Sequence, residues 1–210
     1  MKRLAVIVAL CLAVAGFPWA FRLLYPIYVC RYRMTVDLVI GGRHYNGSSV
    51  VELRVKTQPR LLVPPLVAGL RGEATVVDLG DGQALVAQLG YPVVFRAFNL
   101  PNNPAGAAQL PLLRGERTLA IQNLPTFVLF SDVNDPLSVK QVNPSALRDT
   151  LGLDAQMGSV TVSITNDPIT HDIEQKLPFL GNGPLSHGDP SRAALVTSHL
   201  GRPYFIRSDP

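Results

Sequence analysis

After Cys30 this 210-residue chain contains no cysteine. That absence removes a disulfide framework, a thiolate nucleophile and a cysteine-based zinc site from the bulk of the chain. Cys11 and Cys30 are no better as a pair, because a helix between them would hold them roughly 28 Å apart, far beyond disulfide reach. Acidic residues are missing before Asp37, so Lys2, Arg3, Arg22, Arg31 and Arg33 stand uncompensated. The remaining chain holds fourteen basic and fifteen acidic side chains, a net charge of −1 against +4 for the whole. The basic excess therefore belongs to the N-terminal end. Nucleic-acid binding, which needs a basic surface on the folded domain, is disfavoured.

Recognisable catalytic signatures are also missing. There is no Gly-x-Ser-x-Gly turn, no Walker A phosphate loop and no spaced-glycine dinucleotide fingerprint, Gly80-Asp81-Gly82 lacking the third glycine. His187 and His199 are spaced too irregularly for a metal pair, and no third ligand is nominated, so neither a metal nor a cofactor is expected. Strands alternating with long helices do not occur, which disfavours a Rossmann-like fold or an α/β barrel.

What the chain does have is an N-terminal stretch, Leu4 to Phe21, of eighteen residues without a charge, flanked by Lys2 and Arg3 before it and Arg22 after it. As a helix it would be about 27 Å long, enough for a hydrocarbon core. Trp19, Tyr25 and Tyr28 gather at and beyond its far end, where amphipathic rings favour the headgroup region, and Arg22 and Arg31 can extend to the same interface. Two other readings stay open. Ala13-Val14-Ala15 fits a signal-peptide cleavage site behind a nine-residue apolar core. A buried N-terminal helix is the third, although Leu4 to Phe21 shows no polar face.

Beyond this stretch the patterning is mostly that of short strands. Tyr32 to Ile40 alternates, with Tyr32, Met34, Val36, Leu38 and Ile40 on one face. Gly41-Gly42 and Asn46-Gly47 read as turns, with a second strand from Ser49 to Thr57. Pro59, Pro64 and Pro65 argue against a long regular element between Gln58 and Leu70. Glu73 to Leu79 and Gln83 to Leu89 form a second hairpin candidate around Asp81-Gly82. Strands are expected at Tyr91 to Phe98, Thr118 to Gln122, Thr126 to Phe130, Leu137 to Val142 and Ser159 to Thr165, with a closing one at Tyr204 to Ile206. Asn99 to Arg117 reads as a loop with one helical turn at Ala105 to Gln109. Short helices are expected at Ser145 to Leu151, begun by Pro144 and stopped by Gly152, and from Thr170 to Leu177 before Pro178. Arg192 to His199 is a last helix or strand.

Two polar clusters invite chemistry. Asp132, Asn134 and Asp135 place oxygen ligands in one loop, as calcium sites do, but no glycine at the sixth place or glutamate at the twelfth completes an EF-hand. Asn134-Asp135-Pro136 is echoed by Asn166-Asp167-Pro168, and both read as Asx turn chemistry closed by proline rather than as a duplication. His171-Asp172 with Glu174 sets a carboxylate beside an imidazole, yet neighbouring helical residues do not face one another.

Several segments together carry a resemblance: Tyr32 to Val36, Gly47 to Glu52, Gly72 to Ala74 through Asp78 to Gly80, Phe130 to Val139, Asn143 to Leu147, and Val160 to Pro168 leading to Leu177 to Leu180. In these the chain resembles a family of membrane-anchored proteobacterial proteins of unknown function over residues 30 to 180. The resemblance implies a compartment and an intact domain, and no mechanism.

The expected architecture is mainly β, with α+β as the variant. Antiparallel sheets, eight or nine strands and two or three short helices would form a sandwich or partly open barrel behind an N-terminal transmembrane helix. Residues 1–31 are the membrane anchor or signal, 32–180 the globular domain, and 181–210 a Gly/Pro-rich tail packed on it. The functional expectation is a non-catalytic, membrane-tethered periplasmic module that binds or scaffolds an envelope component. The alternative is a periplasmic hydrolase using Asp132, Asp135 or His171.

Overall fold

A computed structural model describes residues 23–59, 65–90, 93–152, 154–180 and 205–207. Among the described residues the chain is mainly β, with two antiparallel sheets and only short helices. The first sheet is built on the hairpin of β1 (Ile27–Ile40) and β2 (Arg43–Thr57), joined by Gly41 and Gly42. Both glycines have positive φ, 55° and 75°, which a two-residue turn matched to the strand twist requires. β1 starts at Ile27, five residues before the expected Tyr32. Its alternation is as anticipated: Cys30, Tyr32, Met34, Val36 and Leu38 are all buried, while Arg31, Arg33, Thr35 and Asp37 alternate with them on the other face. Burying each large aliphatic in this row contributes about 1.5–3 kcal/mol.

β3 (Leu66–Glu73) extends the sheet on the β2 side, and β9 (Gln156–Ile164) with β6 (Glu116–Thr118) extends it on the β1 side. A two-residue β10 (Ile206–Arg207) closes the β3 edge. The second sheet runs β4 (Thr75–Gly80), β5 (Gln83–Ala87), β7 (Phe127–Phe130) and β8 (Val139–Val142).

The chain passes from one sheet to the other between β3 and β4, with Ala74 alone between them. The amide of Ala74 donates to the carbonyl of Phe205, so β10 fastens this passage. A buried hydroxyl pair, Ser49 Oγ to Thr75 Oγ1 at 2.7 Å, ties β2 to β4 beside it. Where β3 has left β2, Thr170 takes its place: its Oγ1 accepts from the Val50 amide at 2.8 Å, and its own amide donates to the Val50 carbonyl. Both sheets contribute to one core, which includes Phe127, Phe130, Leu85 and Phe205 at 0% exposure. Phe130 meets Phe179 and Phe205 at centroid distances of 5.3 and 6.1 Å.

Several sequence expectations are corrected. Asn46-Gly47 is not a turn but lies inside β2. A Cβ on Gly47 would stand 2.1 Å from the Val76 carbonyl oxygen, so this glycine is demanded by the approach of β4. The run Tyr91 to Phe98, expected as a strand, is not one over its described part. Val93–Ala97 forms helix α1, burying Val93, Val94, Phe95 and Ala97 and exposing Arg96. In a strand, Val94 and Arg96 would share a face, which the core does not permit. Thr118 to Gln122 divides between β6 and a 3₁₀ turn at Ile121–Asn123, with Ile121 exposed. Leu66 to Leu70, assigned to an irregular stretch, is strand.

Among the described residues there are ten strands instead of about eight or nine, and four complete one-turn α-helices instead of two or three. The other three are α2 (Pro104–Ala107), α3 (Arg148–Leu151) and α4 (Ile173–Lys176), each close to where a helical turn was expected. The transmembrane helix expected at 4–21, and the helix or strand expected at Arg192 to His199, lie outside the described residues.

Candidate functional site

A charged constellation around one buried carboxylate lies on the outer face of the first sheet, near the start of β1. Along β2 the sequence Val51-Glu52-Leu53-Arg54-Val55 points Val51, Leu53 and Val55 into the core and Glu52 and Arg54 outward. The register sets Arg31 of β1 and Arg71 of β3 on either side of Glu52. Arg31 Nε donates to Glu52 Oε2 at 2.7 Å, and Arg54 Nε to Oε1 at 2.8 Å, so each carboxylate oxygen has its own guanidinium. Glu52 is only 3% exposed, whereas its two arginines are about 40% exposed. Burial by itself would raise the Glu52 pKa, but the two guanidinium hydrogen bonds and their charges outweigh it and hold the carboxyl below the usual range.

β1 runs on toward Ile27 past the end of its pairing with β9, which stops at Tyr32. Beside that free stretch opens a cleft of about 400 Å³ lined by Val29, Arg31, Glu52, Leu110, Arg114 and Asn166, among others. Cys30 also borders it, with its thiol pushed up to about 12, first by burial and then by the Glu52 charge. Thr165 Oγ1 donates to Asp167 Oδ2 at 2.6 Å and accepts the Asp167 amide, while Arg33 closes on the same carboxylate at 2.8 Å. The chemistry at hand is therefore cation-rich binding. A carboxylate locked between two arginines makes a poor general base, and a thiol protonated throughout the neutral range makes a poor nucleophile.

A second cleft, of about 460 Å³, lies among Ile121, Leu147, Arg148, Asp149 and Met157. A second buried carboxylate, Glu73, sits elsewhere: its Oε2 accepts the amides of Asp172 and Ile173 at 2.7 and 2.9 Å and so fixes the start of α4. Burial pushes its pKa up, against the partial compensation of those two hydrogen bonds.

The residues singled out from sequence fall as follows. Lys2, Arg3, Trp19 and Arg22 lie outside the described residues, as do His187 and His199. Tyr25 is half-buried, Tyr28 packs against the core, and Arg31 is the Glu52 partner. Asp132, Asn134 and Asp135 form a self-contained turn between β7 and β8. Asp132 Oδ1 accepts the Asn134 amide at 2.9 Å, Asp135 Oδ1 accepts the Leu137 amide at 2.9 Å, and Ser138 Oγ donates to both main-chain carbonyls. Neither cleft is lined by any of the three, nor by His171. His171 is exposed just ahead of α4, where its neighbour Asp172 pairs with Lys176 at 2.8 Å.

No sequence motif marks Glu52, Arg54 and Arg71 as a unit. A signal was there: Glu52, Arg54 and Lys56 alternate with Val51, Leu53 and Val55, so this outer face was readable as charged. What could not be read was which cations of other strands the register would bring to Glu52. No protein-family model, curated protein or solved structure matches the chain.

Proposed function

We propose that the chain is a single-pass protein of a bacterial inner membrane. In this reading residues 4–21 anchor a sandwich-like periplasmic domain that binds or scaffolds an envelope component without catalysis. The observation that carries this reading is the position of β1. The first strand of the central sheet begins at Ile27, with only five residues between it and the end of the uncharged stretch at Phe21. Apolar side chains persist outward across that junction, Leu23 at 83% exposure, Leu24 at 71% and Ile27 at 60%. Exposed aliphatics at one end of a sheet are costly in water and natural where the chain enters lipid. Among the described residues no helix is long and apolar enough to cross a membrane, and the anchor is assigned to the stretch before them. A binding role rather than hydrolysis accords with Asp132 and Asp135 being engaged in their own turn and with Glu52 being held ionised between arginines.

Two measurements test this. The mature protein starts at Met1 or Lys2; an N-terminus at Gly16 would mean that the stretch is cleaved. A reporter fused after Pro210 is active in the periplasm, and activity confined to the cytoplasm would overturn the orientation.

A further inference from the structure

The outer face of the first sheet carries, at its anchor end, a regular grid of side chains. The register aligns Val67, Lys56 and Ile27 in the row nearest the anchor, then Gly69, Arg54 and Val29, then Arg71, Glu52 and Arg31. Four of these nine are cations and one is a carboxylate, and that carboxylate is buried and already bonded to two of the cations. Ile27, Val29 and Val67 are 60%, 39% and 48% exposed, and Lys56 is exposed between Ile27 and Val67. The next cation along β1, Arg33, is paired with Asp167 outside these rows, whereas Lys56 stands exposed between two exposed aliphatics in the first of them.

We infer that this grid is a lipid-binding face, seated in the anionic headgroup layer of the membrane that the N-terminal stretch enters. The inference rests on the tether proposed above and adds the surface that meets the bilayer. Its dimensions fit. Same-face residues along a strand recur about every 6.6 Å, and each headgroup layer is roughly 5–8 Å thick. The first two rows, with all three exposed aliphatics plus Lys56 and Arg54, therefore lie within that layer. Arg31 and Arg71 then stand at its outer boundary. Aliphatics interleaved with lysine and arginine match this zone, where apolar groups reach acyl chains and cations meet phosphates.

The test uses the full chain in vesicles carrying shallow brominated acyl chains, of phosphatidylcholine alone or mixed with phosphatidylglycerol. Trp19 is the chain's one tryptophan, so its quenching reports insertion of the N-terminal stretch. In a W19F background, Val67→Trp reports the grid and Gln141→Trp, exposed on β8 of the other sheet, is the control. Val67→Trp is expected to be quenched and blue-shifted in phosphatidylglycerol vesicles, less so in phosphatidylcholine, with Gln141→Trp unaffected. Adding Lys56→Glu should bring the phosphatidylglycerol signal down to the phosphatidylcholine level. Quenching of Trp19 without quenching of Val67→Trp would overturn the lipid face and leave the tether standing. The reverse pattern would sustain the face and sink the tether, and loss of both signals would sink both. A blue shift of Val67→Trp that grows with protein concentration in the absence of lipid would mean that a second copy covers the grid, which overturns the inference.

Discussion

Replacing Gly47 with alanine tests how closely the two sheets approach. The new Cβ would lie 2.1 Å from the Val76 carbonyl oxygen, 2.7 Å from the Val76 carbonyl carbon and 3.1 Å from Val77 Cα. All three are main-chain atoms of β4, so no side chain can swing aside. Restoring ordinary contact requires β2 and β4 to part by about 1.3 Å, which a close-packed core resists. The cost belongs at the upper end of overpacking penalties, about 3 kcal/mol, or roughly 6–12 °C of melting temperature for a protein of this size. Gly69→Ala is the matched control: it too is a strand glycine on the same sheet, with nothing within 4 Å of its Cβ position. It should be neutral or slightly stabilising, since a strand-interior glycine costs roughly 0.5–1 kcal/mol relative to alanine. Thermal and guanidinium unfolding of the full chain in detergent, followed by far-ultraviolet circular dichroism, would compare the two. Equal stabilities for the two variants would refute the close packing of β4 on β2.

Further outcomes are expected at three residues. Glu52→Gln should cost about 1–2 kcal/mol, because the exposure of both arginines screens the lost charge. Since the folded pKa of Glu52 is lowered, its contribution is present above the ordinary glutamate range and lost as pH falls through the folded value, and the variant should lose that acid dependence. Glu73 has the opposite sign. Its raised folded pKa gives stability that is full below the ordinary range and declines as pH rises through the folded value, so Glu73→Gln should flatten that decline in unfolding curves taken across the acid range. Glu73→Ala, by contrast, strands the amides of Asp172 and Ile173 and should cost about 1–3 kcal/mol at every pH. In a Cys11→Ser background, Cys30 with its pKa of about 12 should be about one part in ten thousand thiolate at pH 8. It should react with a disulfide reagent only after denaturant is added; rapid reaction in the native protein would refute its burial.

Strands whose side chains face opposite environments were legible, because a period of two is written directly into the residues. β1, with Tyr32 to Leu38 inward, and β9, with Val160 and Val162 inward, are of this kind. So was the turn at Asp81-Gly82, both at positive φ. Runs that are apolar throughout were ambiguous: Val93-Val94-Phe95 suits a strand or a helix until the core shows that only Arg96 faces out. The candidate site was the least legible part. Glu52 acquires Arg31 through a cross-strand register 21 residues apart, and Glu73 meets the start of α4 across 99 residues.

The β-rich class, the hairpin at the start of the domain and the concentration of basic charge at the N-terminal end are written in the residues alone. Each of these follows from local spacing or composition. That Gly47 is a packing glycine and not a turn emerges on folding, because the atom that requires it belongs to Val76 on another sheet. The same holds for Glu52 as a buried anion between two arginines, since a carboxylate's burial and partners arise from strands that the chain brings together only when folded.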